Sequence, residues 1–351
     1  MLHARFLHAY PGFALDVDLN LPMRGVTALF GPSGSGKTTL LRLLAGLERA
    51  AEGRVHVGDV VWQDATHFLP AHRRPIGYVF QDARLFPHLT VRQNLAYGLR
   101  RAGSAEDLQA MAARLGIEPL LDRKPLRLSG VEAQRVAIAR ALLTQPRVLL
   151  MDEPLAALDA ARRAEILPYL ERLHVEAEIP VIYVSHSFDE VARLADHLVL
   201  LDAGRVIAAG ALHELTARLD LPLAQAAEAE AVIEARVVAH DPEFHLTRLA
   251  FAGGELQLPY HAAAMGQAVR VGIRARDVSI TLEAQQGTSI LNILPATIVA
   301  MAAAGPAQVV LRLQVGEAFL LARVTRKSAQ TLGLTLGRSV FAQIKSVAIV
   351  E

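Results

Sequence analysis

The chain has 351 residues, enough for two or three domains, and its 36 Lys and Arg nearly balance 35 Asp and Glu, for a net charge of +1. That balance argues against a dedicated nucleic-acid binder, and an apolar content of 52% with 20% charged residues excludes a disordered chain. Cysteine is absent, which excludes disulfide frameworks, thiolate metal sites and cysteine nucleophiles.

At the N-terminus, His3, Arg5 and His8 interrupt the apolar stretch that a signal peptide needs, which points to the cytoplasm. The mean hydropathy is positive, +0.29, yet no run of about 18 apolar residues is available to span a bilayer. The longest candidate, Ala296 to Ala304, is cut by Gly305-Pro306.

The first strong signal lies at 25–47. Gly25 to Phe30 is an apolar run of strand formers, and Leu40 to Leu47 has helical composition and spacing. Between them stands Gly31-Pro32-Ser33-Gly34-Ser35-Gly36-Lys37-Thr38-Thr39, in the strand–loop–helix context of a phosphate-binding loop. Glycines let successive N–H groups turn inward around phosphates, and the helix N-terminus adds its positive dipole end. Lys37 is placed to reach the β- and γ-phosphates of a nucleotide, and the Thr38 hydroxyl to reach Mg²⁺. Lysine is rare here (only residues 37, 124, 327 and 345) and is used where a compact point charge suits phosphate.

Further along, Leu128-Ser129-Gly130-Val131-Glu132 leads a second helical stretch, through Ala133 to Leu142, giving another helix N-terminus suited to anions. Val148-Leu149-Leu150-Met151-Asp152-Glu153 then reads as a buried parallel strand ending in two carboxylates. Asp152 suits the Mg²⁺ shell, and Glu153 suits a general base toward an attacking water. A P-loop with an acidic strand is compatible with kinases, GTPases, helicases and many ATPases.

The segment Leu128 to Leu142 narrows the field, because it resembles the signature of the ATP-binding-cassette ATPases. The resemblance covers residues 1–228 and implies an α/β P-loop domain with a helical subdomain over about 82–128. It also implies a head-to-tail homodimer in which Ser129 and Gly130 of one copy close over the ATP held by the other's P-loop. By the same resemblance Gln81 is the glutamine that touches metal or water and senses the transporter. Asp159, in Ala156-Ala157-Leu158-Asp159, lies in the loop crossing the dimer interface, His186 contacts the γ-phosphate, and Tyr10 stacks on adenine in preference to Phe6 or Phe13. Leu85 to Leu89 and the polar helical stretch Ser104 to Leu115 would form the face that docks a membrane partner. Two positions depart from the pattern. Ala156 and Ala157 stand where serine is common, and Val131 replaces the signature's second glycine. A β-branched residue there either stays helical and harmless or crowds the phosphate and slows turnover.

Residues Phe68 to Gln81 resemble the ATPase subunits of molybdate importers more closely than those of sugar importers. Past about 228 the pattern turns to short β-like runs, a β-rich connecting segment over 229–287 followed by 288–351. That last segment resembles a molbindin-type, all-β oligonucleotide-fold barrel, with Ser289, Lys345 and Ser346 as oxyanion candidates. Six cations there oppose only Glu317 and Glu351, a local +4 that leaves −3 for the rest. Leu291 and Pro295-Ala296 depart from that module's usual arginine and glycine.

The resemblances together imply an ATP- and Mg²⁺-dependent subunit that powers molybdate or tungstate import. It would be peripheral on the cytoplasmic face of the inner membrane, with permease subunits as direct partners and a periplasmic molybdate-binding protein as an indirect one. The alternatives are an importer of sulfate, iron or sugar, and a non-transport cassette ATPase.

Overall fold

The computed structural model describes residues 1–103, 107–176 and 179–350, in two compact units, Met1–Ala209 and Gly210–Glu351. The first unit runs β1 (Leu2–Tyr10), β2 (Phe13–Leu21), β3 (Val26–Phe30), α1 (Lys37–Ala45), β4 (Glu52–Val57), β5 (Val60–Gln63) and β6 (Ile76–Val79). It continues with α2 (Val91–Ala102), α3 (Leu108–Arg114), α4 (Gly130–Leu142), β7 (Val148–Asp152), α5 (Ala160–Glu176), β8 (Val181–Val184), α6 (Phe188–Leu194), β9 (His197–Asp202) and β10 (Arg205–Ala211). Its strands form one sheet in the order β5-β4-β1-β2-β10-β9-β3-β8-β7-β6.

The order separates two chemistries. β6, β7, β8, β3 and β9 pair in parallel, and β7 and β8 are buried at every residue. Strands covered on both faces need continuous apolar runs, which is why Val148 to Met151 and Val181 to Val184 carry no polar side chain that must reach water. β1, β2, β4 and β5 pair antiparallel, and β1 and β4 alternate between buried and more open residues, as expected with one face turned to solvent. The catalytic ends of a parallel sheet are its carboxyl ends, so β3, β7 and β8 deliver their following residues to one edge.

Between β6 and β7 lie three helices: α2 and α3 fall within the span of about 82–128 expected for a helical subdomain and α4 lies beyond it; residues 104–106 of the polar stretch fall outside the described residues. Thr90 and Gln93 form a reciprocal capping box on α2. Buried Asn94 then holds the Leu85–Leu89 segment, accepting from the Phe86 N–H at 2.8 Å and donating to the Phe86 carbonyl at 3.2 Å. The Phe86 ring packs on Tyr97 with centroids 4.7 Å apart, so this segment is anchored through its aromatic while Pro87 and His88 stay exposed.

The second unit adds α7 (Leu212–Thr216), α8 (Pro222–Gln225), β11 (Glu230–Asp241), β12 (Leu246–Phe251), β13 (Gly254–Pro259), β14 (Ala268–Arg274), β15 (Val278–Thr281), β16 (Asn292–Ala304), β17 (Gln308–Val315), β18 (Ala318–Thr325), α9 (Arg326–Thr331), β19 (Ser339–Ile344) and β20 (Ala348–Ile349). Two antiparallel sheets result, β13-β12-β11-β14-β20 and β15-β19-β16-β17-β18. β15 also lies against β18, so the second sheet curls.

Two sequence expectations are corrected here. The division falls at 209/210 rather than 228, because Ala217, Leu219 and Ala224 pack into the core of the β-rich unit. The segments 229–287 and 288–351 also share that core: Val237, Leu249 and Ile273 pack in one cluster with Ile298, Leu313 and Ile344. Strand β20, at the end of the second segment, pairs with β14 of the first.

Candidate active site

The loop from Gly31 to Thr39 joins β3 to α1, and its glycines are needed for geometry. A side chain on Gly31 would fall on the Leu201 carbonyl, and one on Gly36 would meet the Phe13 ring at 2.9 Å, with φ of +101° besides. Ser35 is buried and donates its N–H to the Pro32 carbonyl at 3.1 Å, while Ser33 and Gly34 form the exposed crest. The buried Lys37 ammonium spans the loop, donating to the carbonyls of Gly31 at 2.9 Å and Pro32 at 2.8 Å. Burial pulls its pKa down, against the attraction of Glu153 and Asp152.

Thr38, the second residue of α1, lies beside the end of β7. Its hydroxyl donates to Asp152 Oδ1 at 2.8 Å, while the Tyr78 hydroxyl donates to Asp152 Oδ2 at 3.1 Å. Burial pushes the Asp152 carboxyl up, and the two hydroxyl donors pull it back. Thr38 and Asp152 thus form an oxygen donor pair of the kind that suits a hard divalent cation. Among the described residues no cluster of three or more His, Asp and Glu side chains forms a protein-only metal site. Phosphate and water oxygens would have to complete any shell.

One residue past β7, Glu153 turns the chain with φ of +45°, a left-handed conformation that costs a non-glycine residue about 1 kcal/mol or more. Its N–H is held by the Val184 carbonyl at 3.1 Å. The register pairs Asp152 with Val184, so His186, two residues past β8, comes beside it, with Nδ1 at 3.1 Å from Glu153 Oε2. The loop carrying His186 is braced from within. Ser185 donates its hydroxyl to buried Glu190 Oε2 at 2.8 Å and accepts the Ser187 N–H at 3.0 Å, and the Tyr183 hydroxyl reaches the same carboxylate oxygen at 2.8 Å. Arg163 of α5 lies 3.6 Å from Glu190 Oε1. Neither Glu190 nor Tyr78 stands out in the sequence reading. The available signal for Glu190 was a carboxylate standing among Val191, Ala192 and Leu194, which are buried with it.

The remaining expected residues are dispersed. Gln81 is exposed just after β6, and the preceding carbonyl, that of Phe80, accepts from Gln134 of α4 at 3.2 Å. Ser129 caps α4, its hydroxyl accepting the Glu132 N–H at 3.2 Å while Glu132 Oε2 accepts the Ser129 N–H at 2.7 Å. The hydroxyl proton is left to donate elsewhere. Among the described residues nothing hydrogen-bonds Ser129 or Gly130 to the Gly31–Thr39 loop of the same chain. Val131 is in the first turn of α4 with its side chain buried at 2% exposure. Asp159 is exposed, and its Oδ1 accepts the Arg162 N–H at 2.9 Å at the start of α5.

Tyr10 ends β1, and its hydroxyl is engaged by Glu48; burial, with Glu48 beside it, pushes the phenol up to about 12. Phe6 is fully buried, and of the three aromatics it is Phe13 whose ring reaches the phosphate loop at Gly36.

In the second unit, Ser289 precedes β16, and Lys345 and Ser346 follow β19; all three are exposed. Asn292 pairs with Ile344 across these antiparallel strands, so the three candidates leave the same end of the sheet. Asn292 is itself occupied, exchanging hydrogen bonds of 2.7 and 2.8 Å with the Gln257 backbone on β13. Leu291 is 60% exposed where the module usually has arginine.

Comparison with known proteins agrees with this anatomy. A family model described as ABC transporter matches residues 15–156, and one described as TOBE domain matches 288–350. The "Molybdenum import ATP-binding protein ModC" of Thiobacillus denitrificans is 58% identical over 353 residues, covering 99% of this chain and 98% of the relative. Its namesake from Pseudomonas aeruginosa is 57% identical over 356 residues, covering 99% of each. Among solved structures, a dimeric ATP-binding cassette bound to ADP and Pi is 27% identical, with a TM-score of 0.52, over 60% of this chain and 99% of that one. The cbiO1 protein of Clostridium perfringens, part of an ABC transporter complex, is 29% identical, with a TM-score of 0.54, over 62% of this chain and 90% of that one.

Proposed function

The chain belongs to the ABC transporter ATPases, in the family of the molybdenum import ATP-binding proteins, and on that premise we propose that it hydrolyses ATP to drive molybdate or tungstate through a membrane permease. The observation that carries the ATPase reading is the Glu153–His186 contact of 3.1 Å, one residue beyond the Asp152 carboxylate that Thr38 of the P-loop helix engages.

Each side chain has a role that follows from its chemistry. The loop N–H groups of Gly31, Ser33, Gly34 and Gly36, with Thr39, cradle the phosphates around the turn that the Ser35 N–H closes onto Pro32, and Lys37 exchanges its loop carbonyls for phosphate oxygens. Thr38 and Asp152 fit Mg²⁺, with Gln81 as a further oxygen donor; the ion, when bound, neutralises charge on the phosphate oxygens. Glu153 takes a proton from the attacking water, and His186 orients that carboxylate and reaches the γ-phosphate. Ser129 offers its remaining hydroxyl proton, and Gly130 its N–H, to the nucleotide of a second copy, which makes the working unit a homodimer. Asp159 lies on the loop between the copies, and Tyr10 or the neighbouring Phe13 meets the adenine.

Among the described residues no helix is long and apolar enough to cross a membrane. Its kinship with the importer ATPases supports the reading that it works against the cytoplasmic face, on permease subunits fed by a periplasmic molybdate-binding protein. The test is reconstitution with its permease in proteoliposomes. Molybdate accumulation should require ATP and vanish with Glu153→Gln, and accumulation of sulfate in preference to molybdate would overturn the substrate assignment.

A further inference from the structure

Asp152 is the one metal-site carboxylate held from both sides. Thr38 occupies Oδ1 at 2.8 Å and Tyr78 occupies Oδ2 at 3.1 Å. Tyr78 comes from β6, the neighbour of β7, where it pairs with Leu150, two residues before Asp152. Its ring stacks on Phe80 with centroids 4.2 Å apart, and the Arg84 guanidinium lies over Phe80 at 4.2 Å. Gln81 follows Phe80 directly. One phenol thus touches the metal-site carboxylate at one end and the root of the Gln81 loop at the other.

A carboxylate on the end of a strand can rotate about its last bond, and a rotated Asp152 would point its lone pairs away from Thr38. A donor on the second oxygen fixes the carboxylate plane and still leaves lone pairs on both oxygens for a cation. Outer donors of this kind typically account for about 10–100-fold of metal affinity.

We infer that Tyr78 is a positioning residue that orients Asp152 for the divalent cation and ties that orientation to the Gln81 loop. This rests on the reading of Thr38 and Asp152 as the Mg²⁺ site. The substitution Tyr78→Phe removes the hydroxyl and keeps the ring stacked on Phe80. Mn²⁺ binding to the full chain, followed by loss of the free-ion paramagnetic signal in the presence of a non-hydrolysable ATP analogue, reads the effect without turnover. The affinity for Mn²⁺ should fall about tenfold, while affinity for the analogue in EDTA stays unchanged. Equal Mn²⁺ affinities in the two proteins would overturn the inference, and so would a parallel fall in EDTA, which would mark the hydroxyl as a support of the fold. If the unsubstituted chain bound no Mn²⁺ with the analogue, the metal-site reading itself would fail, a result distinct from both.

Discussion

His186 Nδ1 lies 3.1 Å from Glu153 Oε2, although 33 residues separate them in the chain. Adjacent parallel strands bring them together, and both stand at the carboxyl edge where β3 also releases the phosphate loop. The contact joins a proton acceptor to a residue able to hold its orientation, which is the minimum a hydrolytic site requires.

Replacing the acceptor should therefore separate binding from chemistry. Glu153→Gln keeps the size of the side chain and the backbone turn while removing its basicity, and the ATPase rate should fall about 10²–10⁴-fold. Nucleotide affinity should remain within about twofold by equilibrium binding, because the substitution leaves untouched Lys37 and the loop amides proposed above to hold the phosphates. A rate within tenfold of the unsubstituted chain would remove Glu153 from the role.

Glu190 supplies the stiffness behind His186. Its buried carboxylate accepts both the buried Tyr183 and Ser185 hydroxyls and faces the half-buried Arg163. Glu190→Ala leaves those groups without their acceptor and should cost about 3–5 kcal/mol in urea unfolding. Glu190→Gln, which keeps an acceptor oxygen, should cost less than half as much. A loss below about 1 kcal/mol for the alanine variant would show that the network is not under load.

What the sequence made legible follows from how local each signal is. The P-loop, the acidic strand and the His186 strand are contiguous runs whose periodicity and end residues can be read in place. Tyr78 meets a partner 74 residues away, one strand over, and nothing in its immediate neighbours marks it as a polar contact rather than core; Glu190 stands among apolar neighbours on α6, but which hydroxyls and cation it would meet depends on how α6 packs against β8 and α5. The misplaced boundary at 228 has the same origin: Ala217 and Ala224 look like helix surface until the β-rich unit is present to bury them.

Arg74 shows the same kind of hidden contact in the fold. Its buried guanidinium donates to the Leu43 and Leu44 carbonyls at the C-terminal end of α1, at 3.0 and 2.6 Å, and its Nε–H to the Leu69 carbonyl at 2.8 Å. The Trp62 and Phe68 rings flank it at 5.6 and 5.3 Å. A cation at the negative end of the P-loop helix is favourable, although burial alone lowers its pKa to about 10. Arg74→Ala should destabilise the first unit by about 2–4 kcal/mol, through orphaned carbonyls and the lost packing. Arg74→Lys should recover little, since one ammonium on a flexible stem cannot replace a flat fork between two rings. Full recovery by lysine, measured by chemical denaturation, would contradict this.

Val131 departs from the signature glycine but occupies the first turn of α4 with its side chain turned inward. A buried valine in regular helix does not stand in the path of a phosphate. Val131→Gly should accordingly cost about 2–3 kcal/mol of stability, from lost burial and the weaker helix propensity of glycine. The ATPase rate per folded molecule should stay within about twofold. A variant that turns over several times faster would instead show that the valine restrains closure of the dimer.

The second unit poses a sharper question, because its proposed oxyanion residues share one sheet end but its chemistry there is mixed. Ser289, Lys345 and Ser346 leave the same end of the β16–β19 pair, and the segment's net +4 favours a dianion. Against this, Leu291 presents an exposed apolar side chain in place of the usual arginine, and Asn292 is committed to the Gln257 backbone. With Lys345 the one cation among the three candidates, affinity should rest heavily on it. Calorimetric titration of the full chain with molybdate should give a binding heat that Lys345→Ala weakens about 10–100-fold, the worth of a hydrogen bond to a charged group. Leu291→Arg should tighten binding by adding a cation at the same end of the sheet. Heat that is unchanged in Lys345→Ala would place the anion elsewhere and leave this end of the sheet as a packing surface alone.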